Sequence, residues 1–204
     1  MNAEAPPRGS GGFLKSLNCD RAYGWALLGT CAFLALVELG GEPLRNALSY
    51  QREAIAAGQW WRVLTAHIVH LDANHAVLNG LGLVLMWALF ARDYSPLRWL
   101  AIYWMSALAI SLGLYVFDPR IEWYVGASGA LHGVMAAGTL AHLRRRDLDG
   151  WILAIFIVAK LSYEQFAGQM PFAGAANTVV DAHLYGAIGG LVLAFFLKSR
   201  TEPQ

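Results

Sequence analysis

The sequence predicts an all-α membrane protein, a bundle of six transmembrane helices, and three observations carry that expectation. Hydrophobic residues make up 57% of the 204-residue chain and charged ones only 14%, where a soluble domain holds about 25% charged residues. Apolar segments recur at roughly 23–39, 74–91, 98–117, 127–143, 150–167 and 180–197, each near the ~20 residues that cross a hydrocarbon core. Lys and Arg fall unevenly on the stretches between them. Little polar sequence is left for a separate soluble domain, and no fixed-period repeat is visible. One membrane domain over 23–198 is therefore expected, with short tails at 1–22 and 199–204.

Taken in order, the opening MNAEAPPRGSGGFLKSLNCD is polar and rich in Pro and Gly, and the first apolar run ends without a clear small-residue cleavage site, which reads as a short disordered tail. An even number of spans puts both termini on one side. With that side cytoplasmic, the inner stretches carry Arg8, Lys15, Arg21, Arg92, Arg98, Arg144, Arg145, Arg146, Lys198 and Arg200, and the outer ones only Arg45, Arg52, Arg62 and Arg120. That asymmetry fits the positive-inside rule. Arg144–Arg146 read as an inner anchor on anionic lipid. The long loop from Gly40 to Thr65 contains Trp60 and Trp61 and is expected to lie in the outer interface, where tryptophans prefer to sit.

Composition also excludes some functions. A net charge of +1 is too small for a nucleic-acid footprint. Cys19 and Cys31 alone supply neither a disulfide framework nor a cysteine-rich metal site.

Polar side chains inside the spans are functional candidates, because ionisable groups at membrane depth are costly. The second span opens on HIVHLDANHAVLN, with His67, His70, His75 and Asn79; the fourth on GASGALHG, with Ser128 and His132; the sixth on DAHLYGAIGG, with His183. The fifth contains Lys160 and Glu164. Spans two, four and six all start at the outer face, so Asn79, Ser128 and His183 fall at similar depth. Three polar groups at one level suit acyl transfer, which needs a nucleophile, a base and oxyanion donors. Close approach is permitted by Gly129 and Gly133 on the fourth span and Gly186 and Gly190 on the sixth, the small-xxx-small spacing of packed membrane helices. His75 and Asn79, four apart, share a face. With the Ser128 backbone N–H, unpartnered at a helix start, they can hold an oxyanion.

These residues resemble the rhomboid family. Gly126-Ala127-Ser128-Gly129 is similar to its GxSG motif, His75 through Asn79 to its HxxxN, and His183 with Gly186 and Gly190 to its sixth-span histidine and glycines. Trp61-Arg62 resembles its WR element, and His70 the histidine five positions before the HxxxN. The resemblance covers about Trp60 to Leu197 and implies a six-span rhomboid-like bundle acting as an intramembrane serine endopeptidase without cofactor or metal. It implies a Ser128–His183 dyad with no acid, and an oxyanion site of His75, Asn79 and the Ser128 amide. The implied substrates are transmembrane proteins cut near the outer end of their helices, in contact with membrane lipid.

One departure is His132, where many rhomboids carry a tyrosine that packs on the catalytic histidine. With the minimal length and the Lys160–Glu164–Gln165 cluster, it resembles the rhombosortase branch. That branch implies a bacterial inner membrane, a site facing the periplasm, and substrates with a C-terminal Gly-Gly, helix and basic tail.

Plainer roles compete at each position. Ser128 can cap a helix. His67 and His70 can tie down the first loop, and with His75 they invite a zinc reading, although no HExxH accompanies them. His132 can orient His183. Lys160 and Glu164, four apart, can satisfy each other, or Glu164 and Gln165 can contact the substrate. Asp181 reads as the cap of the sixth span rather than a triad acid, since side chains two apart on a helix diverge. At the level of the whole chain the rivals are a non-catalytic rhomboid-like binder or chaperone, and a transporter, for which no paired broken helices speak.

Overall fold

The computed structural model describes residues 21–170 and 178–200. Most of the expected tails, at 1–20 and 201–204, lies outside these residues, as does Cys19. The elements are α1 (Arg21–Glu38), α2 (Gly41–Leu48), β1 (Tyr50–Gln51), α3 (Arg52–Ala56), α4 (Arg62–Thr65), α5 (Ala73–Phe90), α6 (Pro96–Phe117), β2 (Trp123–Tyr124), α7 (Ser128–Arg144), α8 (Leu148–Ala167) and α9 (Val180–Phe196). Helices α1, α5, α6, α7, α8 and α9 fall on the six apolar segments.

Length and apolarity suit a membrane crossing in three of them: α5 extended to Asp93 (21 residues), α6 (22 residues) and α8 (20 residues). A fourth candidate is the pair Tyr23–Glu38 and Gly41–Leu48, bent by 106°. The other two are shorter, at 17 residues each, or about 26 Å of helix. Helix α7 buries Gly129, Ala130, Gly133, Ala136, Ala137, Gly138 and Ala141. It faces protein rather than lipid, so it needs little apolar bulk.

Local chemistry sets the helix starts. The Asp72 carboxylate accepts from the His75 amide at 2.7 Å and caps α5. Ser95 caps α6, with Pro96 in its first turn, a position where the missing N–H costs nothing. The expected Asp181 cap and the competing cap reading of Ser128 both differ. Helix α7 begins at Ser128 itself, with Ala127 as its cap, so the Ser128 side chain is left for other partners. Helix α9 is preceded by Val179, and Asp181 sits within its first turn, where no side-chain cap bond forms; the acid there still complements the helix dipole.

The segment expected as one interfacial loop is built. Arg62 is buried and donates to the carbonyls of Asn46 (2.8 Å) and Ser49 (2.7 Å) and to Gln59 Oε1 (2.7 Å). Trp61 Nε1 donates to the Ala47 carbonyl. Arg52 reaches over to the carbonyls of Leu114 and Tyr115 at the end of α6. Strand β1 pairs antiparallel with β2, Tyr50 opposite Tyr124, which ties this segment to the turn that leads into Ser128.

At the opposite end of α7, two of the arginines expected to anchor lipid have protein partners. Arg144 donates to the carbonyls of Ala194, Phe195 and Leu197, closing the end of α9. Arg145 pairs with Asp93 and Asp147, and His142 lies between Asp93 and Asp149.

Candidate active site

Helices α7 and α9 meet backbone to backbone. A Cβ on Gly129 would stand 2.7 Å from the Ala182 carbonyl oxygen, and one on Gly133 would stand 2.5 Å from that of Gly186. With no side chain between them, Ser128 Oγ and His183 Nε2 come within hydrogen-bond distance, 3.3 Å apart. His183 is 5% exposed.

The imidazole is held on two sides. His132 stacks on it, with ring centroids 4.1 Å apart and planes 18° apart, while His132 Nδ1 donates to the Ser128 carbonyl at 2.8 Å. On its edge, His183 Nδ1 donates to Glu164 Oε2 at 3.0 Å. Glu164 is 2% exposed, and its other oxygen accepts from Lys160 Nζ at 2.6 Å. The histidine expected without an acid therefore has one. It comes from α8, not from Asp181. The expected Lys160–Glu164 pair forms, but it uses only one carboxylate oxygen.

His75 faces this turn from α5. The Leu71 amide donates to its Nδ1 at 3.4 Å, so the ring proton is on Nε2. That Nε2–H lies beside Gly126, 3.1 Å from where a Cβ would stand. Gly126 has φ +124°, a conformation open to glycine. It is fixed by its amide on the Ala66 carbonyl and by the Tyr124 hydroxyl donating to its carbonyl. Asn79 is buried and gives one N–H to the His75 carbonyl at 3.0 Å; its amide has a second.

His75, Asn79, Ser128, His132, Lys160, Glu164 and His183 all line one cavity of about 890 Å³ between α5 and α8. Gln165 is exposed and does not line it. Its floor and walls include Leu78, Leu85, Met86, Met135 and Phe156, an apolar trough beside the polar cluster.

The remaining histidines have other partners. His67 Nε2 donates to Ser111 Oγ at 3.0 Å, and its carbonyl accepts from the Tyr103 hydroxyl. It thus ties the approach to α5 onto α6, and Ser111 Oγ in turn donates to the Val63 carbonyl of the first loop at 2.7 Å. His70 is buried edge-on against His75, at 5.5 Å between centroids, with its Nδ1 3.9 Å from Glu38. Burial pushes both His67 and His70 down to about 4. Among the described residues His67, His70 and His75 form no metal-type cluster, whereas the ligand atoms of His132, Glu164 and His183 lie within 4.8 Å of one another. A metal there would have to take a His183 nitrogen from Ser128 or Glu164.

A bundle of apolar helices with a serine and a histidine in contact beside an apolar trough defines the class of membrane-embedded helical proteins. The Rhomboid domain family matches residues 57–200, and the chain belongs to the rhomboid family. It is 30% identical over 160 residues to YdcA of Bacillus subtilis, a protein named for rhomboid proteases, covering 78% of each chain. It is 30% identical to rhomboid protease GluP of the same organism over 72% of this chain and 27% of that one. It is 26% identical to the chloroplastic rhomboid-like protein 11 of Arabidopsis thaliana, over 68% of this chain and 53% of that one. The chain thus spans most of the first relative, about a quarter of the second and about half of the third.

Proposed function

We propose that the chain is an intramembrane serine endopeptidase that cuts transmembrane proteins near the outer end of a helix. The observation that carries it is the Ser128–His183 contact of 3.3 Å at the wall of a trough between two lipid-facing helices. His183 Nε2 takes the Ser128 proton as Oγ attacks the scissile carbonyl carbon. The oxyanion forms beside the His75 Nε2–H, the Asn79 amide and the Ser128 backbone N–H. One such donor is worth about 3–4 kcal/mol of barrier. His183 then protonates the leaving amine, and water resolves the acyl-serine.

The finer proposals follow from the topology and from His132. With six crossings and both termini cytoplasmic, the reading that the charge asymmetry supports, the site faces outward, to the periplasmic side of a bacterial inner membrane. A substrate helix would lie against α5 and α8, and the rhombosortase-like features favour C-terminal tails of Gly-Gly, helix and basic residues. Co-expression with a protein bearing such a tail tests both levels. A cut mapped beside the Gly-Gly, lost in Ser128→Ala, is the expected result. Cutting elsewhere would remove the rhombosortase assignment alone. Processing that survives Ser128→Ala would remove the enzyme and leave a binder or chaperone on the same bundle.

A further inference from the structure

Glu164 has no counterpart in a serine–histidine dyad, and its surroundings are unusually complete for a buried acid. A carboxylate at 2% exposure is strongly unfavourable unless its lone pairs are used. Here Oε1 accepts from Lys160 and Oε2 from His183. Three helices contribute to the chain of contacts: Ser128 on α7, His183 on α9, and Glu164 with Lys160 on α8.

Resting on the protease proposal, we propose that Glu164 is the positioning acid of a Ser128–His183–Glu164 triad, and that Lys160 selects which way that triad is wired. The Nδ1–H of His183 is held by the carboxylate, so Nε2 is the bare nitrogen and faces Ser128 Oγ as a proton acceptor. When Ser128 gives its proton to Nε2 and bonds to the substrate carbonyl carbon, the imidazolium lies between a new oxyanion and the Glu164 carboxylate. Glu164 stays ionised throughout, and the proton leaves from Nε2 to the departing amine. His132, stacked on the ring face, prevents the imidazole from tilting while Glu164 fixes its edge.

Lys160 gives this arrangement a signature. An ammonium group only donates. If Glu164 is replaced by glutamine, Lys160 claims the single amide oxygen, and the amide NH₂ is turned toward His183 Nδ1. His183 must then carry its proton on Nε2, the tautomer that cannot accept from Ser128. Losing the correct tautomer in a serine-protease triad costs about 10⁴ in kcat. Replacing Lys160 by methionine as well frees the amide to rotate, so its oxygen again accepts from Nδ1–H. A substrate-contacting or merely structural Glu164 has no reason to be rescued by a second substitution that removes its ion-pair partner.

The test is the rate at which a small fluorophosphonate labels Ser128 in detergent, a reaction that bypasses the docking of a substrate helix. Glu164→Gln should slow labelling at least about 100-fold, and Lys160→Met/Glu164→Gln should recover at least about tenfold of it. Labelling at the wild-type rate in Glu164→Gln overturns the proposal, and so does equal slowing in both variants. The ¹⁵N shifts of the His183 ring in the wild-type protein need no variant to fold. In the neutral ring they should show a protonated Nδ1 and a bare Nε2; the opposite tautomer overturns the proposal. Failure of the protease proposal is separable, since wild-type Ser128 would then take no label at all.

Discussion

At Gly126 the backbone and the proposed oxyanion donors meet. Its φ of +124° lies where an L side chain is strained, at a cost of order 1–3 kcal/mol. A Cβ would also stand 2.8 Å from His75 Cε1. Gly126→Ala should therefore displace His75 or the turn before Ser128. The expected outcome is at least a tenfold loss of fluorophosphonate labelling together with a lower melting temperature; unchanged labelling would show that His75 does not serve the site from that position. His67 and His70 make a second prediction at this scale. Burial lowers both to about 4, against about 6.5 in an unfolded chain. Between those values the unfolded state binds more protons, so stability is complete above about pH 6.5 and falls as pH drops toward 4. Melting in detergent across that window should show the decline, flattened in His67→Gln or His70→Gln. The roles proposed for Ser128 and His183 were legible in sequence because motif, order and span parity agree. The Glu164 contact was not, since the rotation of α8 against α9 is a tertiary fact, and an i, i+4 neighbour already offered Lys160 a complete explanation.

Among the elements, the α7–α9 contact sets the distance on which the chemistry depends. A Cβ at Gly186 would be driven into the Gly129 carbonyl, whereas one at Gly80 on α5 meets nothing within 4 Å. Gly186→Ala is expected to cost about 1–3 kcal/mol by overpacking and to part Ser128 from His183, while Gly80→Ala should be neutral or stabilising by up to about 1 kcal/mol. Thermal unfolding of the two variants, with labelling of each, checks the contrast. Equal behaviour would mean that the two helices are not in backbone contact. The glycine spacing announced this interface in the sequence. The two-residue strands β1 and β2 carried no such signal: a pair of residues has no periodicity to detect, and their partnership is supported by Arg62 holding the first loop together from within and Arg52 tying it to the end of α6.

Across the whole molecule, apolarity marked where the helices lie better than how many cross. Long, strongly apolar helices read clearly, as α5, α6 and α8 do. Helix α7 reads weakly because its neighbours are protein, and the small residues that make it central lower its apolarity. Positive charge was legible as position and not as partner, since Arg144 closes the C-terminal end of α9 and Arg145 holds Asp93 and Asp147. The fold thus gathers Ser128, His183 and Glu164 from three helices onto one cavity wall, and their joint action is testable in one step. Fluorophosphonate adducts on the purified protein, located by peptide mass spectrometry, should appear on Ser128 alone and disappear in His183→Ala. An adduct on Ser128 that forms equally fast without His183, or no adduct on a folded wild-type protein, would contradict a nucleophile activated by its neighbouring histidine.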